Sequence, residues 1–227
     1  MIKPRKGIDN NIILTETQKR FLKNFGQSNL KILFRITGGT VLSAFYLEHR
    51  LSEDLDFFSS EKIPAYAIED YLKTLDYVSE IRFTKSFDRN IYHLFMPDNE
   101  TLRVEFTYYP FENIERPIEI DGIYTDSALD ILVNKICAIA DRTDIKDYID
   151  LYSGLVAFGL SLNRLVELAE RKCGIRGIHH IIQRRLLDVP GGIEKLKLRI
   201  EMDLENLKRY FETSVQDMVK NEIDQFD

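Results

Sequence analysis

Cysteine is scarce in this chain of 227 residues: Cys137 and Cys173 are the two present, and they lack metal-ligand spacing. They read as small core residues of a protein kept in a reducing cytoplasm. Long apolar runs are missing as well. The N-terminal MIKPRKGIDNNIILTETQKR has no apolar stretch of the kind a secretory signal carries. The least polar window, Leu151 to Leu162, is interrupted by Ser153, Gly154, Gly159 and Ser161. It falls short of the roughly 20 apolar residues a membrane helix needs. A cytoplasmic protein without a membrane partner is expected.

An excess of positive charge is also absent, since the formal net charge is −6, which argues against general affinity for nucleic acid. One segment departs from this balance. Residues 171–185 (RKCGIRGIHHIIQRR) hold five Lys or Arg, two His and no acid. Such a patch either holds phosphates or serves as a solvated helix face.

Periodicity sets out an α+β chain with a border near residue 125. A first helix starts at Thr15, where Thr15 and Gln18 match a capping box, and stops at Gly26. Residues 31–36 read as a buried strand running into Gly38-Gly39, and a helix follows from Thr40. Residues 54–58 alternate as a strand, Pro64 opens a helix to about Leu75, and 78–87, 91–96, 101–109 and 117–124 alternate again. Beyond Thr125 the texture is helical: Ser127 to Ala140, Ile145 to Phe158, 161–172, 177–187, 193–211 and 214–225.

The chemistry-bearing residues begin with Gly38, Gly39 and Thr40. A strand, two glycines and a helix N-terminus offer free N–H groups and a dipole to a phosphate, and the Thr40 hydroxyl can cap the helix and donate to a phosphate oxygen. Steric need alone also explains a Gly-Gly turn. Asp54 and Asp56 follow at i and i+2 of a strand, so they share a face, and their mutual repulsion calls for a cation. Mg²⁺ suits such a pair together with substrate phosphates. On the stretch LRVEFTYY, Glu105 is placed to add a third metal-binding carboxylate or to act as a base, or else to pair with Arg103 or another cation. Farther on, Lys135 and Arg142 stand seven residues apart on one helical face, suited either to clamping a triphosphate or to solvated ion pairs. Asp147 is expected to orient Lys135 or Arg142 by a charge-assisted hydrogen bond.

Taken together, Gly38-Gly39-Thr40, then Arg50-Leu51-Ser52-Glu53-Asp54-Leu55-Asp56-Phe57, then Lys135, Ala138, Arg142, Lys146, Asp147, Asp150 and Leu151 resemble the nucleotidyltransferase superfamily. More narrowly they resemble the AbiEii/AbiGii-type abortive-infection toxins. The resemblance implies a nucleotidyltransferase core domain over 1–125, with a mixed sheet and flanking helices, and a helical domain over 126–227. It implies a nucleoside triphosphate (NTP) substrate, Mg²⁺ or Mn²⁺ as cofactor, a cognate antitoxin, and RNA, tRNA in particular, as acceptor. Asp54, Asp56 and Glu105 are then the metal ligands. Gly38, Gly39, Thr40, Lys135 and Arg142 bind the nucleotide, and Asp54, Asp56, Glu105, Lys135 and Asp147 form the catalytic set. The superfamily often has Asp where this chain has Glu105. An antibiotic-type small-molecule nucleotidyltransferase and a non-catalytic nucleotide- or partner-binding module are the competing expectations.

Overall fold

Leu102, Val104 and Phe106 alternate with Arg103, Glu105 and Thr107 along β5 (Thr101–Tyr108), and the three apolar side chains are buried. The same two-residue period builds β2 (Leu55–Ser59), where Leu55 and Phe57 go inside while Asp56 and Phe58 are half-buried. In this computed structural model, residues 1–224 are described in backbone and residues 1–220 in side chain. The chain divides into two units, one of Met1 with Lys3–Ser127 and one of Ile2 with the residues from Ala128 onward.

The first unit holds a mixed seven-stranded sheet in the order β3-β4-β5-β2-β1-β7-β6. Its other strands are β1 (Arg35–Thr37), β3 (Glu80–Ser86), β4 (Arg89–Phe95), β6 (Ile118–Ile120) and β7 (Ile123–Thr125). The pairs β2–β5 and β1–β7 are parallel, and the remaining neighbours are antiparallel. Helix α1 (Glu16–Gln27) opens with the expected capping box of Thr15 and Gln18. Its Phe25 meets Phe57 of β2 at 4.5 Å between ring centroids, and Phe57 meets Phe106 at 5.0 Å. That aromatic stack is the apolar side of the sheet.

Several expected boundaries shift. The chain before β1 is a 3₁₀ turn over Asn29–Ile32, so the strand is shorter than 31–36. Helix α2 starts at Gly38 itself (Gly38–Val41) and widens into a π-helical turn over Leu42–Leu47. Residues 117–124 form a hairpin, because Asp121 and Gly122 both take positive φ and close a two-residue turn between β6 and β7. A short helix α3 (Ala65–Leu72) follows Pro64.

The second unit is helical: α4 (Ala128–Asp141), α5 (Ile145–Phe158), α6 (Leu162–Cys173), α7 (Ile178–Leu187) and α8 (Leu204–Asp224). The expected helix over 193–211 is corrected to a 3₁₀ turn (Ile193–Lys195), an irregular stretch, and α8. Leu196, Leu198, Ile200, Met202 and Leu204 recur every second residue, which does not suit a helix face. Asp203 then accepts from the Asn206 amide at 2.7 Å and starts α8. That helix runs past 214 without a break, and residue 225 lies outside the described residues. Cys137 and Cys173 are joined in a disulfide between α4 and α6, a correction to their reading as separate reduced core residues. No helix among the described residues is long and apolar enough to cross a membrane.

Candidate active site

The Gly-Gly-Thr turn and the Asp-x-Asp strand lie side by side. In the register of the sheet, Thr37 stands opposite Asp56, and Asp56 opposite Glu105. Gly38 has φ +80°, and a Cβ added there would stand 2.5 Å from Asp56 Oδ2. The glycine is thus required twice, by its backbone conformation and by the carboxylate lying against it. Thr37 occupies the N-cap position of α2 without donating or accepting a side-chain cap, so the amides opening α2 are not capped by its hydroxyl.

Thr40 takes a different part from the one expected. It lies inside α2, is buried, and its hydroxyl donates to the Asp54 carbonyl. That bond fastens the turn to the chain entering β2. Two further side chains hold the same loop. Ser43 donates to the Arg50 carbonyl, and the buried Gln18 amide donates to the Ser52 and Glu53 carbonyls at 2.9 and 3.1 Å. The capping-box signal located Gln18 but revealed nothing of this second task, which only the folded loop discloses.

Asp54 and Asp56 are both half-buried. Asp54 Oδ2 accepts from Arg103 at 2.9 Å, and the same guanidinium donates to Glu105 at 2.7 Å. Arg89, at the start of β4, grips both oxygens of Glu105, and Thr107 donates to it at 3.0 Å. Burial by itself would raise the Glu105 carboxyl; hydrogen bonding and charge from Arg89, then Arg103 and Thr107, outweigh it and hold the group below its ordinary range. A carboxylate so held is a weak base.

Within the expected three-carboxylate cluster, Arg103 stands between Asp54 and Glu105. Among the described residues no group of three or more His, Cys, Asp or Glu is placed to hold a metal ion. The plainer expectation for Glu105, pairing with Arg103, describes its contacts, with Arg89 added. Arg89 went unnoticed in the sequence because it reads as a turn residue; its link to Glu105 depends on the β4–β5 register. The acid pair itself suits a divalent cation, since the Asp56 carboxylate fills the place a Gly38 side chain would take and Asp54 keeps one oxygen clear of Arg103.

In the second unit, Lys135 donates to Asp147 at 2.7 Å and lies 2.7 Å from Asp150. Arg142 donates to both oxygens of Asp147, at 2.8 and 3.2 Å. Asp147 is buried, which would raise its carboxyl; the Lys135 charge, then the Arg142 hydrogen bond and charge, hold it below the usual range. Asp147 thus joins the two cations, and Asp150, known from the sequence only as a motif residue, is the second acid on Lys135. The 171–185 patch is narrower than its composition indicates, because Lys172 is buried against Asp130 at 2.8 Å. Arg176, His180 and Arg184 remain exposed.

A parallel–antiparallel sheet with a Gly-Gly turn set against an Asp-x-Asp strand is the frame of a nucleotidyltransferase. The chain belongs to the nucleotidyl transferase AbiEii toxin family of type IV toxin–antitoxin systems, whose profile matches residues 20–227. The fold is shared with JHP933 from Helicobacter pylori, at TM-score 0.58 and 22% identity over 93% of this chain and 96% of that one. It is shared too with a Helicobacter pylori structure described as a candidate nucleotidyltransferase, at TM-score 0.59 and 22% identity over 94% and 99% of the two chains. A protein of Aquifex aeolicus (strain VF5), aq_aa25, is 29% identical over 194 residues, 83% of this chain and 89% of that protein.

Proposed function

We propose that this toxin-family nucleotidyltransferase moves a nucleoside monophosphate from an NTP to a hydroxyl of an RNA acceptor, tRNA foremost, in the cytoplasm, with Mg²⁺ as its divalent ion. The observation that supports the reading is the close approach of the Asp56 carboxylate to Gly38, which brings the Gly-Gly turn and an acid of the Asp-x-Asp pair to one point. Asp54 and Asp56 are the residues that would hold the ion, Mn²⁺ serving in its place. When bound, it neutralises phosphate charge and draws the phosphate oxygens into position.

The amides of Gly38 and Gly39 receive phosphate oxygens at the start of α2. Thr40 contributes by holding the turn to Asp54. Glu105 is assigned a positioning role, fixing Arg103 and through it Asp54. Lys135 and Arg142, organised by Asp147, are assigned to nucleotide binding as the cationic pair of the helical unit. The acceptor oxygen attacks the α-phosphorus, the bond to the bridging oxygen breaks, and the hydroxyl proton passes to water. The RNA acceptor is favoured by the exposed Arg176, His180 and Arg184 along and before α7.

The test incubates the protein and Mg²⁺ with each labelled NTP and total RNA, beside Asp56→Ala. Label in a tRNA band that disappears with Asp56→Ala is expected. No transfer to any RNA by the folded protein defeats the RNA reading, and transfer that persists in Asp56→Ala defeats the metal assignment.

A further inference from the structure

A second cleft opens in the sheet unit, on the strand face that carries Asp56. Ile32, Leu33 and Phe34 lead into it, Arg35 opens β1, Ser60 follows β2, Arg116 and Pro117 precede β6, and Tyr124 lies in β7; together they line a cavity of about 430 Å³. Volumes of about 300–1,000 Å³ are those in which small ligands are held. Ile36 pairs with Thr125 across β1 and β7, so Arg35 and Tyr124 stand abreast. Arg35 is also opposite Phe58, two positions along from the Thr37–Asp56 row. That offset is about 7 Å along the strand.

The polar groups of this cleft are under-employed. Arg35 is 9% exposed and gives its Nε proton to Asp126 at 2.7 Å, yet its Nη2 is buried and meets no hydrogen-bond partner. Asp126 Oδ1 also accepts from Asn113 at 2.7 Å, and Asp126 Oδ2 is a second buried atom without a partner. A guanidinium N–H buried in this way is costly to leave unmatched. Among the described residues, no hydrogen bond or ion pair engages the side chains of Arg116, Ser60 or Tyr124. The apolar side is equally open, with Ile32 72% and Tyr124 39% exposed.

Two guanidinium groups, a hydroxyl and a half-exposed aromatic ring match one chemistry well. The arginine forks suit phosphate oxygens, and Tyr124 with Ile32 and Leu33 offers a platform for a planar base. An acidic peptide would use the arginines and leave the platform idle. Glu119, opposite Tyr124 on β6, is not part of the lining and sets one limit on the net charge accepted nearby.

We propose that this cleft is a mononucleotide subsite, taking one phosphate on Arg35 and Arg116 and the attached base on Tyr124. It goes beyond the donor-site reading and does not depend on it. Free nucleotide and the phosphorylated end of an RNA present the same group, so both are probed.

Calorimetric titration uses adenosine and cytidine 5′-monophosphates, the two nucleosides without phosphate, and a 5′-phosphorylated RNA trinucleotide. The proteins are the full chain, Arg116→Ala, Tyr124→Ala, and Asp54→Asn/Asp56→Asn. Loss of a charged hydrogen-bonding partner predicts about 10- to 100-fold weaker monophosphate binding in Arg116→Ala. Weakened binding in Tyr124→Ala, a similar deficit for the nucleosides, and unchanged binding in the double Asp variant complete the expected result. Tighter binding of the trinucleotide than of the monophosphates assigns the cleft to an RNA end; the reverse assigns it to free nucleotide. Absence of monophosphate and trinucleotide binding, or binding that survives in Arg116→Ala but is lost in the double Asp variant, overturns the proposal. Both single variants alter exposed side chains, and matched thermal unfolding curves confirm that their fold is kept.

Discussion

Asp56 lies so close to Gly38 that its carboxylate occupies the space any larger side chain at that position would need. Glycine here is a condition for the position of an acid, as well as for the left-handed turn of the chain. Gly38→Ala is expected to meet two penalties, a left-handed φ worth about 1–2 kcal/mol and displacement of Asp56. Gly159→Ala, where φ is +62° and nothing lies within 4 Å, meets only the first. Urea unfolding and nucleotide transfer of the two variants check this: both lose stability, and only Gly38→Ala loses most of its transfer. Equal transfer by the two would show that Asp56 does not need its seat.

Arg103 is expected to matter through Asp54. Replacing it with Met takes the guanidinium from the Asp54 carboxylate and leaves Glu105 with Arg89 and Thr107. Removing one member of a buried charge group typically costs about 3–5 kcal/mol, and the part-exposed Arg103 should fall at or below the lower end. Arg103→Lys restores one charge but not the fork, so it should recover stability more than transfer. Denaturant midpoints and transfer rates, measured side by side, separate the two effects.

Acid should weaken both units for one reason. The carboxyls of Glu105 and Asp147 are held below their ordinary range in the folded chain. Each therefore contributes stability that is complete above its unfolded pKa, about 4.3 for Glu and 3.9 for Asp, and is lost as pH falls through the lower folded value. Denaturant midpoints should be flat from about pH 7 to 5 on this account and fall below about pH 4. Glu105→Gln should lower the plateau and flatten part of the acid decline; an unchanged slope would refute the assignment for Glu105.

The Cys137–Cys173 bridge closes a separation of 36 residues. Chain-entropy reasoning puts its contribution near 3–4 kcal/mol, within the usual range for native bridges. Alkylation of the unfolded, unreduced protein should trap no free thiol, and two after reduction. Cys173→Ser should lower the urea midpoint and match the reduced wild-type chain.

What could be read in advance follows the range of each interaction. The helix Ile145–Phe158 matched its expected limits because its Asp144 cap and Gly159 stop are local signals. The Thr15–Gln18 box was equally local. Arg89 gripping Glu105 was hidden, since it joins residues on separate strands whose register no short pattern encodes. Thr40 shows a related limit: a hydroxyl next to glycines suits a phosphate, and the Asp54 carbonyl that it meets comes near only after folding. Lys172 looked like part of a basic surface until Asp130 of another helix was found against it. The stretch after Gly192 differs in kind: its apolar residues alternate, a period that a helix does not use.

The four bonds that fasten residues 50–54, given by three side chains, all end on main-chain oxygen atoms, those of Arg50, Ser52, Glu53 and Asp54. Every amino acid brings the same oxygen to such a bond. The grip is therefore blind to which side chains the loop displays, and the exposed Leu51 can be exchanged without loosening it. In that short stretch the backbone, and not the side chains on display, carries the hold on the strand that follows.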